Sequence, residues 1–202
     1  HTMERYFNHG ENMELTDGIS EHLLRTVMKN AKILMDEPQC YKARAEVMWA
    51  GSLSHNGLMA CGNDGGDWAC HQLEHELGGM FDVAHGAGLA AVWGSWARYV
   101  CDALPDRFEQ FAVNVICRKR DQGDLWGGDD KNAVIQKGIE AMENFFRQIE
   151  MPTDLGGLNI EVSEDQMKEL ALKCSHFGKR TIGCVKKLNQ EDIYRIYQKA
   201  AD

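Results

Sequence analysis

The segment Cys70-His71-Gln-Leu-Glu74-His75-Glu76-Leu-Gly-Gly79 concentrates the most reactive residue types of this 202-residue chain. On a helix, positions four apart share a face, so His71 and His75 should project together. His85 follows a short connection, at the expected N-terminus of the next helix, and a hairpin of the two helices would return it toward His71. Neutral imidazoles converging from two or three helices make a site for a divalent transition metal. His1 and His55 are the other two of the eight histidines that could take part. A bare H-x-x-x-H pair is also what a solvated helix face carries. The Gly-rich flanks and the third histidine count toward metal, and the residues alone leave both readings open.

Three motif likenesses compete with this one. His71-Gln-Leu-Glu74-His75 fits H-x-x-E-H, the inverted zinc-peptidase helix, in which both histidines bind zinc and the glutamate is the general base. That chemistry needs a further ligand on a later helix; Glu140 and Glu143 are available but carry no local signature. Gly86-Ala-Gly88-Leu-Ala-Ala91 fits G-x-G-x-x-A, yet a dinucleotide fingerprint must follow a buried strand within a βαβ unit. Here a helix and a short loop precede it, so the glycines are read as permitting close packing or close approach to a ligand. Ser52 and Ser54 beside His55 lack the G-x-S-x-G elbow, which excludes a serine hydrolase.

The elements that must position these side chains are helices. Only three prolines occur in the chain, as long helices require. His1–Phe7 reads as the end of a helix, with Gly10 suited to a left-handed cap. Ile19, Leu23, Val27, Ala31 and Leu34 have helical spacing over 19–35, with Asp17 or Ser20 as cap and Pro38 beyond the end. Further helices are expected over 41–60, 68–77 (broken by Gly78-Gly79), 85–104, 106–119 (capped by Asp106) and 132–149. A Gly/Asp loop is expected over 121–130. A loop over 153–162 includes a short extended piece at Leu158-Asn-Ile160. Ser163-Glu-Asp-Gln166 and Asn189-Gln-Glu-Asp192 resemble capping boxes opening two last helices. The expectation is one all-α domain of eight to nine helices over residues 1–202.

Composition narrows the function classes. Hydrophobic residues make up 44% and charged residues 26%, as in an ordinary globular protein. A net charge of −9 argues against a broad nucleic-acid surface. Seven cysteines, an odd number with no C-x-x-C, suit reduced thiols in the cytoplasm. No apolar stretch is long enough to span a bilayer.

Ala43-Arg-Ala-Glu-Val-Met-Trp-Ala50, His55-Asn-Gly57, Asp67-Trp-Ala-Cys-His71-Gln-Leu-Glu-His75-Glu-Leu-Gly78 and Ala84-His85-Gly86-Ala-Gly-Leu-Ala90 together resemble the iron-dependent alcohol dehydrogenase family. The likeness is to its NAD(P)H-dependent butanol dehydrogenase branch, and Met151-Pro152-Thr153 and Leu188-Asn-Gln-Glu-Asp-Ile193 fit it too. The resemblance implies an all-α, metal-binding C-terminal domain of the dehydroquinate synthase-like type. It also implies that a Rossmann-like, nucleotide-binding N-terminal half is absent from this chain. In the family one divalent metal, Fe²⁺ or Zn²⁺, is held by an Asp and three His. By motif, His1, His71 and His85 correspond to the three histidines, and the Asp would lie four residues before His1. His75 corresponds to a non-ligand histidine near the substrate and the nicotinamide, so the resemblance makes it the catalytic and cofactor-contacting candidate. The implied activity is interconversion of primary alcohols and aldehydes with NADH or NADPH, in a cytoplasmic protein expected to form homodimers. The alternatives from other classes are the H-x-x-E-H metallopeptidase and a non-catalytic helical binding module. This chain alone is expected to be inactive.

Overall fold

The computed structural model describes residues 1–63, 65–117, 128 and 130–202. Among these residues there are nine α-helices and no strand, so the all-α expectation holds. The helices are α1 (Thr2–Tyr6), α2 (Glu14–Asp36), α3 (Tyr41–His55), α4 (Ala69–Phe81), α5 (His85–Val100), α6 (Pro105–Phe111), α7 (Lys131–Gln148), α8 (Glu164–Cys174) and α9 (Gln190–Ala201). A π-helical stretch, Ala112–Cys117, continues α6. The expected Gly/Asp loop over 121–130 and the helix end near Lys119 fall outside the described residues, except at Gly128 and Asp130.

The chain divides into two compact units. The first comprises His1–Gly66 and Leu104–Ile149. In it α2 packs on α3, and α6, the π-helical stretch and α7 pack together. Its polar centre is an ion pair: both outer nitrogens of Arg107 donate to the Asp17 carboxylate, and Arg107 Nε donates to the Tyr6 carbonyl at 2.6 Å. Asp17 was expected as a cap. It lies inside α2 instead, because that helix begins at Glu14, and Ser20 bonds back to Thr16 O. Gly10 does not adopt the left-handed conformation; α1 ends at Tyr6, and Gly10 N donates to Asn8 Oδ1 in a local turn. Helix α3 stops at His55, five residues early, where Gly57 takes φ 88° ahead of a single 3-10 turn. Asp106 is not a cap either. Pro105 opens α6 at its first turn, where the missing N–H costs nothing, and Asp106 pairs with Lys131.

The second unit comprises Asp67–Ala103 and Glu150–Asp202. Helix α5 is apolar around nearly its whole circumference, so it must be enclosed. Within this unit α4 packs on α5 and α8, and α9 packs on α5 and α8. The Tyr197 hydroxyl donates to the Leu73 carbonyl at 2.7 Å, tying α9 to α4. Both expected capping boxes are present, at Ser163/Gln166 and Asn189/Asp192. The expected extended piece at 158–160 does not form: Leu158 ends a 3-10 turn, Gly156–Leu158, and Asn159 is left-handed at φ 57°. An isolated antiparallel bridge joins Ile182 and Leu188.

Candidate metal centre

Helix α4 carries His71 and His75, and α5 begins at His85. The connection between them is short because Asp82 takes a left-handed conformation, φ 54°, and turns the chain back at once. The expected hairpin therefore forms. The three imidazole centroids make a triangle: His71–His85 5.2 Å, His75–His85 5.8 Å and His71–His75 6.2 Å. His71 is buried, whereas His75 and His85 are exposed. Nitrogens of His75 and His85 and a carboxylate oxygen of Glu74 all lie within 4.8 Å of one another. Imidazole nitrogens and a carboxylate are donor types that a borderline divalent ion takes, so the hairpin supplies donors that fit a bound metal. The fourth histidine of the expected set, His1, lies in the first unit, at the N-terminal end of α1. Its ring stands 4.1 Å from that of His55, and its carbonyl accepts from the Arg5 guanidinium at 3.3 Å.

The start of α4 is held by a residue whose role the motif reading did not assign. Asp67 is buried, and its carboxylate accepts from Ala69 N at 3.0 Å, Cys184 N at 2.7 Å and Val185 N at 2.8 Å. One oxygen thus caps the first turn of α4 while the other gathers a loop more than a hundred residues away. Gly183 adopts φ +81°, and a Cβ there would stand 3.2 Å from Asp67 Oδ2 and 2.8 Å from Lys186 O. Between Asp67 and Ala69, Trp68 is held left-handed at φ 61°, which is costly for a bulky residue. That conformation sets its indole edge-on to His71, 4.8 Å between centroids.

Glu74 is the second functional residue with a role that spacing did not reveal. Its side chain is only 3% exposed, and its carboxylate contacts Nδ1 of His85. Gly78-Gly79 was expected to end the helix, yet α4 runs through both to Phe81. The contact between Glu74 and His85 removes the feature a peptidase would need, a glutamate turned toward bulk water as general base. Glu140 and Glu143, the candidate later ligands for that chemistry, belong to the first unit, where Glu143 pairs with Arg147 at 4.0 Å. On the far side of α4, Cys174 Sγ approaches Gln72 O at 3.4 Å, and burial pushes this thiol up to about 12.

An all-helical chain with clustered imidazoles and a carboxylate on a helical hairpin has the donor groups that a metal-binding domain needs. The profile of the Fe-containing alcohol dehydrogenase family, C-terminal, matches residues 1–201, and the chain belongs to that family. It is 33% identical over 204 residues to NADH-dependent butanol dehydrogenase A of Clostridium acetobutylicum, covering 99% of this chain and 49% of that protein. It is 30% identical to the NADPH-dependent aldehyde reductase YqhD of Escherichia coli, with 99% and 49% covered. Among solved structures, NADH-dependent butanol dehydrogenase A of Thermotoga maritima superposes with a TM-score of 0.86 at 33% identity, covering 100% of this chain and 49% of that one. The chain therefore spans about half the length of the curated relatives it matches.

Proposed function

We propose that the protein carrying this chain interconverts primary alcohols and aldehydes with NADH or NADPH and one divalent metal, Fe²⁺ or Zn²⁺. The observation that carries this reading is the convergence of His71, His75 and His85 on the α4–α5 hairpin of a chain in this family. His71 and His85 are the proposed metal ligands on the hairpin, and His1 is the proposed third imidazole on the strength of its place in the family motif. The metal, when bound, would act as a Lewis acid on the substrate oxygen.

The chain's own residues do the positioning. Burial and the Trp68 edge restrict the His71 ring. The exposed ring of His75 lies between its neighbours and the open face, a place from which a ring nitrogen can pass a proton to water or orient a substrate. The nicotinamide, when bound, would give or accept the hydride, and the protein would hold it in register with the substrate. The relatives' names divide between NADH and NADPH, so the nicotinamide stays open between the two. A small aldehyde or alcohol, a nucleotide-binding half, a second copy in a homodimer and the cytoplasm complete the proposal.

The test is to express the full reading frame that encodes this chain, measure its metal by mass spectrometry and assay butanal reduction with each nicotinamide. About one divalent ion per chain, together with reduction by one cofactor at least, is expected. Metal-free protein with no reduction by either cofactor would overturn the reading.

A further inference from the structure

We propose that Glu74 is a positioning residue that holds the His85 ring through Nδ1 and so reserves Nε2 for the metal, and that Gly78 and Gly88 are glycines in order to admit this carboxylate. The inference rests on the metal reading above and adds a carboxylate to the site that touches neither substrate nor nicotinamide.

Three observations carry it. Glu74 is nearly inaccessible, on the side of α4 that packs on α5, so its charge has been taken out of water at a cost that a partner must offset. That partner is Nδ1 of His85. The contact is a hydrogen bond to the carboxylate in the tautomer that carries its proton on Nδ1, and that tautomer presents its lone pair at Nε2. A histidine ligand whose other nitrogen donates to a carboxylate is oriented and made a better donor.

The third observation is the space left for the side chain. A Cβ on Gly88 would stand 2.7 Å from Glu74 Cγ and 3.1 Å from Oε1, closer than packed atoms tolerate. A Cβ on Gly78, one turn along α4, would stand 3.2 Å from Oε1. Two helices have each given up a side chain at the point where this carboxylate lies. The glycine pair that looked like a helix stop and the G-x-G that looked like a nucleotide turn thus contribute both walls of the same cradle.

The test uses two readouts. The first is the His85 tautomer in the metal-free protein from the full reading frame with ¹⁵N-labelled histidine, read by long-range ¹H–¹⁵N correlation at a pH where the ring is neutral. The second is Zn²⁺ affinity of the protein from the full reading frame, by competition with a chromophoric chelator. The wild type should show the Nδ1–H form. Glu74→Ala should return the ring toward the mixture of free imidazole and weaken Zn²⁺ by about 10–100-fold. Glu74→Gln, whose amide oxygen still accepts from Nδ1, should keep the tautomer and lie within a few-fold of wild type. Gly88→Ala should resemble Glu74→Ala, and the double variant Glu74→Ala/Gly88→Ala should be no weaker than Glu74→Ala alone, because both act on one contact. Unchanged tautomer and affinity in Glu74→Ala would overturn the proposal. Two further results would also overturn it: Glu74→Gln as damaging as Glu74→Ala, which marks Glu74 as a ligand itself, or additive losses in the double variant. If the wild type binds no Zn²⁺, the proposed function fails on that point while the tautomer still decides the part played by Glu74.

Discussion

The carboxylate of Asp67 holds the backbone N–H of Val185 at 2.8 Å, joining the first turn of α4 to a loop 118 residues further along the chain. The same group caps Ala69 N and takes Cys184 N, so it accepts from three backbone donors. Asp67→Ala should therefore lower stability by about 2–4 kcal/mol, read as a shift in the urea midpoint. Asp67→Asn, with one acceptor oxygen, should fall between. A wild-type midpoint for Asp67→Ala would show that the loop finds other partners.

His71 and His75 sit four residues apart on α4, yet their variants should fail differently. His71→Ala should remove metal from the protein expressed from the full reading frame, because it takes away one of the two ligands proposed on the hairpin. His75→Ala should keep the metal and reduce kcat by about 10²–10⁴-fold if the ring moves a proton. Metal content and kcat measured on both variants separate the roles; loss of metal in His75→Ala would make it a ligand.

The helices and the histidine cluster were legible because their signals are local. Helical spacing over 19–34, the Ser163 and Asn189 boxes and the His71/His75/His85 pattern each lie within a single short stretch of sequence. What was not legible depended on distant partners. Asp17 looks like a cap until Arg107, 90 residues away, claims its carboxylate inside the helix. Gly78-Gly79 looks like a helix stop until Glu74 is seen to need the room. Asp67 looks like part of a turn cluster, because nothing near it in sequence announces Cys184 and Val185.

The Arg107–Asp17 pair is buried and strengthened by the Tyr6 carbonyl and by Tyr6's ring, 4.2 Å from the guanidinium carbon. Removing one partner leaves the other charge buried alone. Asp17→Ala or Arg107→Ala should each cost about 3–5 kcal/mol, while the double variant Asp17→Leu/Arg107→Met should recover much of that. Equal losses from the single and double variants, by chemical denaturation, would count against the pair as the cause.

Alkali should destabilise the chain before acid chemistry at the site matters. Burial pushes the Cys174 thiol up to about 12 from an ordinary 9.0. Tyr197 and Tyr6 are likewise raised by burial, Tyr6 also by Glu21. For such groups the folded state keeps the proton that the unfolded chain releases. Their contribution is complete below the unfolded pKa and is lost as pH rises toward the folded value. The Tm should hold below about pH 9 and fall steadily above it, and Cys174 should resist iodoacetamide at pH 8 while exposed Cys61 reacts. A flat Tm from pH 8 to 11 would contradict this.

The 202-residue polypeptide, expressed by itself, should fold but should not reduce aldehydes. The relatives it matches are about twice its length, and the described residues include no strand from which a glycine turn could cradle a pyrophosphate. His71 and His85 remain on a firm hairpin, fixed by Trp68 and Glu74. Metal on the proposed ligands His71 and His85 should dissociate more readily from the isolated chain than from the protein of the full reading frame. Titrating Zn²⁺ or Fe²⁺ into the isolated chain and into the protein from the full reading frame, with butanal and both nicotinamides assayed in parallel, gives the comparison. Far-UV circular dichroism of the isolated chain should stay helical. Equal metal affinity, or comparable turnover, would show that these residues hold the metal and the nicotinamide without help.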